Sequence, residues 1–227
     1  MLNETQQPVI KKALGEHWEK LADIVKQHYN ITPGKPSNMV IEGVMDEVYH
    51  SPIAKLFLIP GRIFGALVPY KGFNIATEVK NWTTAENKAA MFWYRTLTFP
   101  NKAPVIFKSR MEYIKEDEII EYVRFGMGIR MAMSEKDGML IFKSIGYVWK
   151  IAGITIPIPT WAILGNAEII EKAMPNNRFY IDFTMIHPLF GKTFSYAGTY
   201  SIKHSSDATN EIPNLEKVTE EGNGTAI

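Results

Sequence analysis

The sequence contains no cysteine, which excludes disulfide stapling, thiolate metal sites and cysteine nucleophiles. It lacks a charge bias: 25 Lys and Arg stand against 24 Asp and Glu. A phosphate-binding surface usually shows as a basic excess, so nucleic acid is not expected as a partner. No stretch runs for about 18 apolar residues without a charge, so no segment reads as a bilayer-spanning helix. The N-terminus, MLNETQQPVIKKALGEHWEK, has no apolar signal-peptide core. Internal repeats at solenoid or propeller periods are missing too. These absences are taken together as marking a cytoplasmic chain.

Catalytic and cofactor motifs are equally scarce. His17, His28, His50 and His204 lack metal-ligand spacing. The many Ser and Thr residues have no His–acid context that would activate a nucleophile. Gly126 and Gly128 resemble a fragment of a dinucleotide fingerprint, but they fall inside a predicted strand with no helix after it. No metal and no cofactor are expected, and whether the chain is an enzyme is left open.

What the sequence does have is apolar side chains, 46% of its 227 residues, enough for a folded core. Their spacing divides the chain. Ile10, Leu14, Trp18, Leu21, Ile24 and Val25 recur at three- and four-residue intervals, predicting an amphipathic helix over 8–29. Residues 38–50 read as a strand, with Gly43 a bulge or a point of close approach. In 52–67, Ile53, Leu56, Phe57, Ile63, Phe64 and Leu67 form a helical stripe broken at Pro60-Gly61, with Lys55 and Arg62 its only charges. The preferred reading is a short helical plug at one end of a sheet. The alternative is a segment making peripheral membrane contact.

From Gly72 the pattern turns to strands: 72–82, 88–99, 104–115, 118–133, 139–151, 167–174 and a hairpin over 178–202. Short turn signals such as Asp137-Gly138 and Pro175-Asn176-Asn177 make neighbours antiparallel. The proline-rich run 154–159 reads as extended but not as a central strand, because proline removes ladder donors. The expected fold is mainly β with some α: a long antiparallel meander curled into a barrel or half-barrel over residues 1–203. Residues 204–227 are read as a polar, disordered tail.

Alternation also singles out polar groups on apolar faces. Arg95 falls with Met91, Trp93, Leu97 and Phe99; Glu121 falls with Val123, Phe125, Met127, Ile129 and Met131; His187 falls with Phe179, Ile181, Phe183 and Met185. A lone buried charge is costly, so Arg95 and Glu121 are expected to pair across the concave face. Such a pair is either a register-fixing ion pair, an anchor for a ligand headgroup, or, with His187, an acid–base set. The candidate ligand-binding residues are Arg95, Glu121, Phe183, Met185, His187, Phe194 and Tyr196. His187 and Tyr196 are placed near a mouth, with Phe183, Met185 and Phe194 deeper. The expected partner is a lipid-like or amphipathic small molecule, since methionine-rich and aromatic faces adapt to irregular ligands. A scaffold with a filled core is the competing reading.

Four stretches carry a family resemblance: LGEHWEKLADIVKQHYN, EGVMDEVYHSPIAKLFLIPG, FWYRTLTF and GITIPIPTWAILGNAEIIEKAMPNNRFYIDFTMIHPLFGKTFSYAGTY. In this order they resemble an uncharacterised bacterial domain family. That family occurs alone, at the C-terminus of saccharopine-dehydrogenase-like reductases, and beside integral-membrane segments. The resemblance implies no established activity and no catalytic residue. Its neighbours imply membranes or lipid-like metabolites.

Overall fold

The computed structural model describes residues 6–61 and 68–206. Of the expected tail, 204–206 instead extend the last strand, and 207–227 lie outside the described residues, as do 62–67 of the 52–67 stripe. Eleven strands form one sheet: β1 (Ser37–His50), β2 (Gly72–Thr83), β3 (Ala90–Thr98), β4 (Val105–Lys115), β5 (Glu118–Tyr122), β6 (Met127–Lys136), β7 (Met139–Ile151), β8 (Ile154–Ile158), β9 (Asn166–Met174), β10 (Arg178–His187) and β11 (Gly191–Ser206). All pairings are antiparallel, and sequence neighbours pair from β1 through β7 and from β9 through β11. β11 then returns to β1, and the first half of β7 pairs with β9. Ten strands therefore close a barrel, which leaves them no free edge. The expectation of a barrel or half-barrel resolves to the closed form.

The remaining strand, β8, pairs only with the second half of β7, whose other edge still pairs with β6, and extends this part of the wall as a flap. β7 changes partner at a bulge between its pairings Arg130↔Gly146 and Met131↔Ser144. An extra residue there bends the strand, so its first half meets β9 and its second half β8, while β6 keeps the other edge of both. Pro157 lies in this edge strand, as proline requires.

Two expected elements are corrected. The stretch 118–133 is a hairpin rather than one strand. Phe125 and Gly126 adopt left-handed φ of 56° and 76°, and a Cβ on Gly126 would lie 2.1 Å from the Lys150 carbonyl oxygen. Glycine is the residue that fits such a turn. The predicted helix 8–29 is three pieces: α1 (Val9–Leu14), a 3₁₀ turn (Gly15–Lys20) and α2 (Asp23–Tyr29). Gly15, at φ 54°, breaks it. The apolar stripe is still buried throughout.

The helical segment seals one end of the barrel, the floor. The Asp117 amide donates to the Ala13 carbonyl and the Ala22 amide donates to the Gly138 carbonyl, tying α1 and α2 to two turns of that end. At the opposite end, the mouth, α3 (Lys55–Gly61) follows β1, with Ala54 and Leu58 buried. Gly43 of β1 is a close-approach point: a Cβ there would lie 2.3 Å from the ring of Tyr200, its register partner on β11.

Candidate functional site

The barrel is not filled. A cavity of about 370 Å³ occupies its mouth-side half, lined mainly by Leu97, Met131, Phe183, Met185, Phe194 and other apolar side chains. Arg95 and Glu121 also line it. Toward the floor lies an inner chamber of about 60 Å³. Met45, Arg95, Glu121, Met131, Ile169 and Tyr196 border both spaces.

Arg95 on β3 and Glu121 on β5 are separated by one strand. Their side chains meet across it, Arg95 Nη2 donating to Glu121 Oε1 at 3.1 Å. Ser109, on the intervening β4, accepts from Arg95 Nη1 at 2.8 Å and donates to the same Glu121 oxygen at 2.6 Å. The guanidinium lies 4.5 Å from the Trp93 ring centroid and 5.0 Å from that of Phe107. Aromatic faces attract a cation, so the charge is held from three sides.

Six of the seven candidate residues line the outer cavity: Arg95, Glu121, Phe183, Met185, Phe194 and Tyr196. His187 is not among its lining residues. It is 1% exposed, and both ring nitrogens are used. The Leu189 amide donates to Nδ1 at 3.0 Å, so Nδ1 is the acceptor and Nε2 carries the proton that goes to the Trp161 carbonyl at 2.9 Å. Its ring stacks on Phe190 and faces Phe57 of α3. The depth order also differs from expectation. The turn 188–190 is at the mouth, so moving inward along β11 meets Phe194 before Tyr196. Tyr196, not Phe194, reaches the inner chamber. Burial pushes the Tyr196 phenol up to about 12, with Arg95 pulling the other way.

The inner chamber holds a group the alternation argument did not single out. Glu171 on β9 is fully buried. It receives His28 Nδ1 on Oε1 at 2.8 Å and the Tyr29 hydroxyl on Oε2 at 2.9 Å. His28 stacks on Phe179 and meets Trp93 edge-on. His28 Nε2 and Trp93 Nε1 are buried with no hydrogen-bond partner among the described residues. Burial, then the charge of Glu171, pushes the Tyr29 phenol well above the usual tyrosine range. A carboxylate on Nδ1 fixes the imidazole so that Nε2 presents a lone pair, the arrangement of an oriented base.

No group of three or more metal-ligating side chains exists among the described residues. No helix among them is long and apolar enough to cross a membrane. A family model described as a domain of unknown function (DUF4166) matches residues 21–200. No curated protein and no solved structure matches the chain.

Proposed function

The chain belongs to this family of unknown function, DUF4166, and on that footing we propose that its barrel is a binding module for an apolar or amphipathic small molecule. The observation that carries the reading is the cavity of about 370 Å³, apolar but for Arg95, Glu121, Tyr147 and Tyr196. Ligand sites are typically of this kind: roughly 300–1,000 Å³, mostly hydrophobic, with a few convergent polar groups. The apolar body of the ligand lies against Leu97, Phe183, Met185 and Phe194. Its polar end meets Arg95, Glu121 and Tyr196. We place the protein in the cytoplasm, with peripheral membrane contact through 52–67 as part of the same proposal. Of that segment, α3 exposes Leu56 and Lys55 side by side.

The test is uptake of an apolar fluorescent probe, together with native mass spectrometry of protein purified from its host. The parent is expected to enhance the probe and to carry a co-purified lipid-like mass. Met185→Trp and Leu97→Trp, which fill the cavity, are expected to lose both. Equal uptake by the filled variants would defeat the proposal.

A second reading, an enzyme, is favoured by one observation: the unpartnered Nε2 of His28, oriented through Nδ1 by Glu171. With His187 bonded at both nitrogens, an acid–base role passes from the Arg95–Glu121–His187 set to His28. Mass analysis of the co-purified ligand before and after incubation decides it. A ligand that the parent converts and His28→Ala does not would establish catalysis, and an unchanged ligand would sink it.

A further inference from the structure

The two ends of the barrel differ in chemistry. Five connections meet at the mouth: 51–71, of which 51–61 and 68–71 are described, 99–104, 123–126, 152–165 and 188–190. None of them contains an aspartate or a glutamate, whereas Lys55, Lys71, Lys102 and Arg124 lie on them and are exposed. Lys150 and Lys192 follow on the adjoining strand ends, also exposed. The floor connections, by contrast, mix signs, with Glu86, Glu116, Asp117 and Asp137 beside Lys35 and Lys88. The formal net charge of +1 therefore conceals a cationic end.

Exposed apolar side chains follow the same division. Of fourteen large ones among the described residues, eleven lie on the mouth connections or within two residues of them, Ile114 alone of these lies that close to a floor turn, and Val44 and Ile145 sit mid-strand. Leu189 is 75% exposed, Phe73 68%, Leu56 66% and Trp161 63%. The flap adds Ile154 and Ile156. Apolar surface concentrated in this way marks an interaction face. The outer cavity reaches this end, where Phe57, Val68, Val123 and Ala162 line it.

We propose that the mouth of the barrel docks on a lipid bilayer bearing anionic headgroups, so that the cavity exchanges its occupant directly with the leaflet. The proposal rests on the cavity being a binding site and adds where its ligand enters. Trp, Leu, Ile and Phe rimmed by lysine is the composition that seats in a membrane interface. Charge complementarity selects the partner. A bilayer with anionic lipid answers every exposed cation at once. A second copy docked by a two-fold axis would set this same patch against itself and bring lysine against lysine.

The experiment is flotation of the full chain with vesicles of phosphatidylcholine alone and of phosphatidylcholine mixed with phosphatidylglycerol. The parent is expected to partition onto the anionic vesicles about tenfold more strongly, and less so as salt rises. Trp161→Ser with Leu189→Ser, and separately Lys55→Glu with Lys102→Glu, are each expected to lower that partition about tenfold. These side chains are exposed, and retained probe uptake without vesicles confirms that the variants keep their fold. Vesicle binding unaffected by both double variants would overturn the proposal, as would no flotation at any composition. A concentration-dependent dimer abolished by Leu189→Ser, with no flotation, would assign the face to a second copy instead. Probe uptake in vesicle-free buffer reads the cavity separately. A parent that takes up probe but never floats fails on docking alone, and one that floats without taking up probe fails on the cavity alone.

Discussion

Arg95 and Glu121 are two strands apart, yet their side chains meet at 3.1 Å because Ser109, on the strand between them, bonds to both. Little solvent reaches the pair: 19% of the arginine side chain and 11% of the glutamate remain exposed. Glu121→Gln should therefore leave a guanidinium poorly compensated, costing about 3 kcal/mol, the lower end for breaking a buried pair. Arg95→Met with Glu121→Leu should cost much less than the sum of the single changes. A double-mutant cycle of urea melts checks this, and additive effects would show that the two do not depend on one another.

Glu171 should be about as intolerant. Its two oxygens accept from His28 and from Tyr29, and an amide has one acceptor where a carboxylate has two. Glu171→Gln is expected to cost about 2–3 kcal/mol, and Tyr29→Phe about 1–2 kcal/mol, since the latter leaves the buried Glu171 Oε2 without its donor. Denaturant midpoints at constant slope are the measure. Near-neutral Glu171→Gln would mean that the cluster contributes nothing to holding α2 on the floor.

Four buried phenols set an alkaline limit. The folded state holds Tyr196 at about 12 and Tyr29, Tyr147 and Tyr200 well above the ordinary tyrosine value, in each case chiefly through burial. A raised folded pKa means that the folded state binds the proton more tightly. That stability is complete below the unfolded pKa of about 10 and is lost as pH rises through the folded value. Unfolding free energy should thus decline above about pH 10, with Tyr196 alone accounting for roughly 2–3 kcal/mol by pH 12. Tyr196→Phe should flatten the decline, and an identical slope in that variant would contradict the assignment.

How much of this was readable in the sequence depends on whether the signal is local. Period-two alternation placed Arg95 and Glu121 inside, and it survived the hairpin at 123–126 because Glu121 pairs with Ile129 and Ile119 with Met131, keeping the faces aligned. Closure was not local: β1 meets β11, and β7 meets β9 only up to the bulge near Ser144. Glu171 could have been found, since it alternates with Ala167, Ile169 and Ala173 on one face of β9. Its partner His28 lies 143 residues away, on a helix the sequence reads as merely amphipathic. His187 shows the opposite case. Its inward face was legible, but its use by the Leu189 amide and the Trp161 carbonyl depends on two turns with no periodicity.

Gly43 tests the closure itself. A methyl group there would meet the Tyr200 ring at 2.3 Å and the Thr199 carbonyl oxygen at 2.5 Å. A ring can rotate away, but the carbonyl belongs to the strand that closes the barrel. Gly43→Ala is expected to destabilise by about 1–3 kcal/mol, the usual cost of overpacking. Gly43→Ala with Tyr200→Leu should recover only the part owed to the ring. A thermal melt unchanged by Gly43→Ala would show that β1 and β11 separate easily.

His187→Phe separates a structural histidine from a ligand-contacting one. The substitution removes two hydrogen bonds and leaves the Leu189 amide and the Trp161 carbonyl without their partner. Each is a backbone group that the histidine ring joins to the end of β10. The cost should be about 1–2 kcal/mol, because each lost hydrogen bond is worth about 0.5–1.5 kcal/mol and both partners lie on exposed turns that water can reach. The aromatic contacts with Phe57 and Phe190 can survive in the phenylalanine ring. Since His187 does not line the cavity, apolar probe affinity, measured well below the lowered melting temperature, should stay within about twofold of the parent, a difference of under 1 kcal/mol. A stable variant with lost probe binding would reverse the assignment and return His187 to the ligand's polar end.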